Sequence, residues 1–232
     1  MKKSLLTLNK HPHIWRASEK NTKDPKFLLG IDSLDTALNG GIAISGLIRV
    51  SSSTGVGELT LFKKVLCSQR THKMVIFINP PGMLQTPWLE NLGFNTQQVL
   101  VVNTDTEDDA LWAAEQCLKS TACHCVVLWN SAISGKAARR LQVAAAHNDA
   151  LCLLYTPLQV SLQENIQSLP IALDITLEPT DQKLAVNIKK QRHGWPVHNI
   201  VIPHSWTPDN HAIQWAMQQN KVTDQAAQHV VS

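Results

Sequence analysis

Apolar residues follow two rhythms along this chain. From residue 47 to 155, short and nearly continuous apolar runs alternate with stretches that repeat every three to four residues; from residue 171, apolar and polar residues alternate singly. Residues 47–50, 74–78, 99–102, 125–129 and 151–155 read as strands buried on both faces. Helical spacing fills the gaps. It predicts a helix after Gly57 with Leu59, Phe62, Leu66 and Cys67 on one face, and a short one from Thr86 to Leu92. A third opens after Thr106 with Ala110, Ala114, Cys117 and Leu118 inward, and a fourth spans 135–147. Thr86-Pro87 reads as N-cap and first helical residue with Gly93 as the stop, and Thr106-x-x-Asp109 has the form of a capping box. Asn79-Pro80-Pro81-Gly82 breaks the chain after the second strand.

The second rhythm places Ile171, Leu173, Ile175 and Leu177, then Leu184, Val186 and Ile188, on the buried faces of a hairpin turning at Thr180-Asp181-Gln182. Residues 200–202 form a last strand. The expected architecture is an α/β fold with a mainly parallel sheet plus a C-terminal antiparallel hairpin. Flanking it are a polar arm, 1–26, aperiodic apart from Ile14-Trp15, and a Gln-rich tail, 204–232, with one weak helical stretch near 212–219. The core is expected over 27–203.

Composition sharpens this division. The net charge of +3 on 232 residues is an average of unlike parts. Residues 1–26 hold seven Lys/Arg against Glu19 and Asp24, a balance of +5, and the remainder balances at −2. The arm could therefore make a few salt-sensitive phosphate contacts, a weak mode of DNA binding without sequence readout. No apolar run reaches the roughly 18 residues of a membrane span, and the first ten residues lack a signal-peptide pattern. A cytoplasmic location is expected, with no membrane partner. The five cysteines are an odd number, mostly within apolar runs, and read as buried thiols; Cys123-His124-Cys125 is spaced too tightly for a common zinc site. Neither metal nor cofactor is expected. Seven of the twelve aromatics are Trp. Trp88 and Trp129 are assigned to the core, while Trp15, Trp195, Trp206 and Trp215 fall in arm, loop and tail, where exposed Trp favours interfaces.

The loop after the first strand, Ser51 to Gly57, stands where a nucleotide-binding protein carries its phosphate loop. That motif, G-x-x-x-x-G-K-[ST], wraps phosphates in backbone N–H groups, neutralises them with Lys and holds Mg²⁺ by the hydroxyl. In register, this chain supplies Ser52, Gly57, Glu58 and Leu59, with Gly55 and Thr60 in and after the loop. Glu58 puts negative charge where a phosphate would need positive, and Leu59 removes the metal ligand.

The segment 28–41, with its Gly30-x-x-x-Leu34-Asp35 pattern and Gly40-Gly41 turn, together with the strand and loop behind it, resembles the RecA-like recombinases. The resemblance runs from Leu28 to about Arg192 and implies a RecA-like core. It also places the family's catalytic glutamate at Pro81 and its metal-linked aspartate at Asn130, so a vestigial, nucleotide-free site and no enzymatic activity are expected. Within that superfamily the chain resembles ImuA-type proteins, which overlap in sequence with the SulA cell-division inhibitors. The matching pieces are Ile14-Trp15-Arg16-Ala17, residues 28–41, 78–81, 109–116 and 177–179, and 186–192 followed by Gly194. The resemblance implies a DNA-damage-induced, non-catalytic adaptor of error-prone translesion synthesis. Its partners would be ImuB, a Y-family polymerase homologue, an error-prone replicative-type polymerase, and RecA. The SulA overlap implies the alternative, an inhibitor of division acting on FtsZ. Contact residues are sought among Lys189, Lys190 and Arg192, which either meet an acidic partner or protect a sheet edge. Arg139 and Arg140 are further choices, on a helix near where the family's first DNA loop would lie, together with Trp15, Trp206 and Trp215.

Overall fold

A computed structural model describes residues 25–68, 72–158, 169–180, 183–192 and 194–203. Ten strands appear among the described residues: β1 (Lys26–Phe27), β2 (Ile42–Ala43), β3 (Gly46–Ser52), β4 (Met74–Ile78), β5 (Val99–Val102), β6 (Cys123–Trp129), β7 (Leu151–Pro157), β8 (Leu173–Thr180), β9 (Lys183–Gln191) and β10 (Val197–Pro203). The helices are α1 (Asp32–Ala37), α2 (Glu58–Leu61), α3 (Lys63–Leu66), α4 (Thr86–Leu92), α5 (Glu107–Lys119) and α6 (Gly135–His147). Eight strands form one sheet in the order β10-β9-β8-β3-β7-β6-β4-β5. The strands from β8 to β5 pair in parallel, while β9 and β10 add on antiparallel. This is the expected mixed sheet, and its reason is visible in the sequence: β4, β6 and β7 are apolar on both faces because helices cover both, whereas β5, expected to be buried likewise, is the edge strand and leaves Leu100 and Val101 exposed.

One layer packs α1, α2, α3 and α4 against Ile48, Val50, Phe77, Val127, Leu153 and Ile175; the other packs α5 and α6 against Leu47, Ile76, Val126, Leu128 and Leu154. Cys123 lies in the second layer and Cys125 in the first, so these two thiols point to opposite faces and serve as core residues. Burial pushes both up, Cys123 to about 11, which keeps them protonated. No group of three or more His, Cys, Asp or Glu among the described residues is placed to hold a metal. No helix among them is long and apolar enough to cross a membrane.

Several local expectations change. The chain after Gly57 forms two four-residue helices that meet at Phe62, and the buried apolar residues are Leu61, Phe62, Val65 and Leu66; Leu59 and Cys67 are half-buried. Gln85, not Thr86, caps α4, so Pro87 is the second helical residue. Trp88 is exposed, because the seven-residue α4 buries Leu89 instead. The N-cap half of the box at α5 is present, with the Asp109 N–H donating to Thr106 Oγ1 at 3.1 Å, while the Asp109 carboxylate accepts the Thr106 hydroxyl at 2.7 Å.

The 28–41 segment is held from within. The Asp35 carboxylate accepts the N–H groups of Leu29 and Gly30, both at 2.8 Å, and so ties the approach to α1. Gly41 follows α1 at φ +101°, where an added Cβ would run into the Phe27 carbonyl; at Gly40, φ +103°, the same Cβ would meet open space. Both alanine variants carry the backbone cost of about 1–2 kcal/mol, but only Gly41→Ala also forces β1 away from β2. Urea titration is expected to rank Gly41→Ala clearly below Gly40→Ala in stability; equal midpoints would remove the β1 contact as the cause.

Candidate functional site

The loop between β3 and α2 sits at the carboxyl ends of the parallel strands, where open α/β sheets place their ligands. Ser52 is nearly buried, and Gly55 and Gly57 take φ of +83° and +94°, conformations that glycine supplies freely. Glu58 is buried and turns back on the loop: its Oε1 accepts the Gly55 N–H at 3.0 Å. The Tyr155 hydroxyl donates to the Glu58 carbonyl at 2.9 Å and fixes the first turn of α2 to β7. Burial, and after it the Glu58 charge, pushes the Tyr155 phenol up, so it stays a donor. Leu59 is half-buried against the core and Thr60 is exposed.

The neighbouring strand ends carry polar networks. Asn130, at the end of β6, is buried; its Nδ2 donates to the Glu107 carbonyl at 3.2 Å and its Oδ1 accepts the Ala132 N–H at 3.2 Å. The Ser131 hydroxyl donates to the Glu107 carboxylate. Asn79, at the end of β4, accepts the Thr104 N–H at 2.8 Å. Pro81 is exposed beyond it. These side chains tie strand ends to the start of α5.

The sequence did not single out Arg49 and Asp174. They face each other across β3 and β8, fully buried, with Nη2–Oδ2 at 2.8 Å and Nε–Oδ1 at 3.2 Å. Beside them the Ser51 and Thr156 hydroxyls pair at 3.0 Å, and the buried Thr176 Oγ1 has no hydrogen-bond partner among the described residues. The available signal was one charge inside each of two apolar strands, Leu-Ile-Arg-Val and Leu-Asp-Ile-Thr.

The basic run of β9 does not form a single patch. Lys189 is half-buried near Asp174 and Arg49, and burial holds its ammonium below its ordinary value, against the opposing pull of Asp174. Lys190 Nζ donates to the Leu169 carbonyl at 2.6 Å. Arg192 is exposed and rims a cavity of about 240 Å³ that Lys26, Ile42, Ile48 and Leu173 also line. β10 lies outside β9 but pairs with it only from Lys183 to Ile188, so the lysines and Arg192 stand beyond the covered part of that edge. Arg139 and Arg140 are exposed on α6, and Arg140 pairs with Glu115. Trp195 is 85% exposed, as expected of a loop residue. Trp15, Trp206 and Trp215, and the arm and tail that carry them, lie outside the described residues.

The fold and the position of this site define the class: a mixed α/β protein with a mostly parallel sheet, consistent with the RecA-like arrangement. In sequence, the chain is 27% identical over 106 residues to Protein RecA of Marinobacter nauticus, covering 45% of this chain and 30% of that protein. It is 27% identical over 118 residues to Protein RecA of Colwellia psychrerythraea, covering 50% and 34%. The matched part thus spans about a third of these relatives. Among solved structures it is similar to SulA from Pseudomonas aeruginosa, at 26% identity and TM-score 0.41, covering 47% of this chain and 97% of that one. No family model matches the chain.

Proposed function

We propose that this chain is a non-enzymatic accessory protein of error-prone translesion DNA synthesis in the SOS response. It acts through contacts with an ImuB-type Y-family polymerase homologue and an error-prone replicative-type polymerase, with RecA as a further partner. The observation that carries the non-enzymatic half is the hydrogen bond from the Gly55 N–H to the Glu58 carboxylate. A phosphate loop works by leaving its N–H groups free for phosphate oxygens. Here an internal carboxylate takes one of them, adds a negative charge at the same place, and stands where the motif needs Lys. The other expected catalytic positions agree: Leu59 and Pro81 offer no ligand oxygen in their side chains, and both amide atoms of Asn130 are engaged within the strand ends. The similarity to RecA supports the SOS association, and the ImuA resemblance of the sequence supplies the translesion role.

A tagged full-length copy recovered from DNA-damaged cells is expected to retain the Y-family polymerase homologue. In parallel, saturating Mg-ATP is expected to leave the thermal midpoint unchanged, since a ligand at a hundred times its Kd would stabilise by about 2.7 kcal/mol. Recovery of no polymerase component would overturn the adaptor role. So would direct FtsZ binding with filamentation on overproduction, in favour of division control. A Mg²⁺-dependent ATP shift that is lost on altering residues 52–60 would overturn the non-enzymatic half.

A further inference from the structure

The outer face of the α5–α6 pair has a composition that the packing of the fold does not require. Both helices already bury a small-residue face, Ala110, Ala114 and Leu118 on α5 and Ala138, Leu141 and Ala145 on α6. On the opposite side, Trp112 is 60% exposed and Val143 57% exposed. Between the helices runs an open groove of about 470 Å³, lined by Glu115, Lys119, Lys136, Arg139, Arg140 and Val143. Helical spacing puts Trp112, Glu115 and Lys119 in one row on α5, and Lys136, Arg139 or Arg140, and Val143 in a facing row on α6.

The charge of this groove is one-sided. Its carboxylate, Glu115, is sunk between Lys119 at 2.7 Å and Arg140. Burial pushes its pKa up, but the hydrogen bonds and charges of Lys119 and Arg140 outweigh this and hold it below its ordinary value, so it remains ionised and already matched. Lys136 and Arg139 are exposed beside that triad, and α6 carries no Asp or Glu along its length. The acidic residues of α5 other than Glu115 are confined to its first turn, where Glu107 bonds Ser131 and Asp109 closes the cap. A cationic, partly apolar groove therefore sits on a core whose overall balance is acidic.

We infer that this groove docks an acidic amphipathic helix of a partner protein, its apolar ridge on Val143 and Trp112 and its carboxylates on Lys136 and Arg139. Charge complementarity selects this occupant. The chain's own arm, with seven Lys/Arg against two acidic residues, would be repelled, and its tail from 204 to 232 offers only Asp209 and Asp224 beside Lys221. Nucleic acid fits less well, because the exposed Val143 and Trp112 give phosphates nothing to bind. The docking mode is the helix-in-groove type, with anchors at i, i+3, i+4 and i+7. The inference stands apart from the translesion reading, and either can fail without the other.

The test is fluorescence anisotropy of the full chain against a labelled synthetic helix with leucine on one face and glutamate elsewhere. Saturable binding is expected, with no binding of the matching leucine–lysine helix. Lys136→Glu with Arg139→Glu should weaken it by about tenfold or more, corresponding to about 1.4 kcal/mol, while the thermal midpoint of this surface variant stays in place. Val143→Ser should weaken it as well. Absence of saturable binding, or binding indifferent to both variants, would overturn the proposal. Displacement of the helix by an equal concentration of single-stranded oligonucleotide would replace it with a nucleic-acid surface.

Discussion

Asp174→Ala is expected to lower the unfolding free energy by about 3–5 kcal/mol, a large share of the roughly 5–15 kcal/mol that holds a domain together. The carboxylate receives two hydrogen bonds from the Arg49 guanidinium, and neither side chain touches solvent. Bringing both ions out of water costs several kcal/mol each, which their mutual attraction offsets only while both are present. Removing Asp174 takes away the carboxylate that balances a fully buried guanidinium, which cannot shed its proton. Lys189 adds to the cost, because Asp174, ahead of Glu178, is the larger of the charges that favour its half-buried ammonium. Arg49→Met should cost a similar amount through the stranded carboxylate. The double variant Arg49→Met/Asp174→Leu should recover most of the loss, since apolar pairs of similar volume often equal a buried ion pair. Urea unfolding would show the midpoint falling in the single variants and returning in the double, with the slope m unchanged. A double variant as unstable as either single one would mean that the pair itself, rather than the stranding of one charge, carries the stability.

This pair also marks where the sequence stops being legible. The parallel strands could be read because each is a short apolar run bounded by turn residues, and the hairpin because Leu173, Ile175 and Leu177 alternate with polar neighbours. The start of α5 was readable for the same kind of reason: Thr106 and Asp109 are three residues apart and their hydrogen bond is local. Arg49 and Asp174 are 125 residues apart, and only the pairing of β3 with β8 brings them together. Until that pairing is known, each is one polar residue in an apolar strand. The break at Phe62 lacked a glycine or proline to announce it. Trp88 went wrong because a short helix can bury only one side of one turn, and Leu89 takes that place.

The site was legible in part. Glu58 could be placed at the lysine position from spacing, but not the return of its carboxylate to Gly55, which needs the left-handed turn at Gly57. The run Lys189-Lys190-x-Arg192 looked like one cluster because the residues are consecutive. A register shift between Asp174 and Ile175 separates them: Ile175 pairs with Ile188 and Asp174 with Lys190, so Lys189 is squeezed out of the regular ladder. The α5–α6 groove was missed because neither helix shows it alone. Arg139 and Arg140 stand among the contact residues sought from the sequence, but it is Glu115 on the other helix that reveals that Arg140 is already neutralised.

Phe77→Ala is expected to cost about 3–5 kcal/mol, with effects that reach the loop. Phe77 is fully buried near the carboxyl end of β4, its ring centroid 6.0 Å from Phe94 and 6.2 Å from Trp129; Trp129 in turn stacks on Tyr155 at 5.2 Å. These distances fall within the range of favourable aromatic pairs. The rings cross from α4's end through β4 and β6 to β7, and the last of them holds the first turn of α2 by its hydroxyl. Truncating Phe77 opens a cavity under Trp129 that a close-packed sheet cannot fill by small shifts. Phe77→Leu, which keeps most of the volume, should cost about 1–1.5 kcal/mol. The two variants separate packing from ring stacking: if volume alone matters, the near-ultraviolet circular dichroism of Phe77→Leu will match the parent. If Trp129 is held by its stack, that signal will fall in Phe77→Leu although most of the stability remains. An Ala variant within about 1 kcal/mol of the parent would remove these rings as the support of the loop, leaving the Tyr155 hydrogen bond to hold α2 alone.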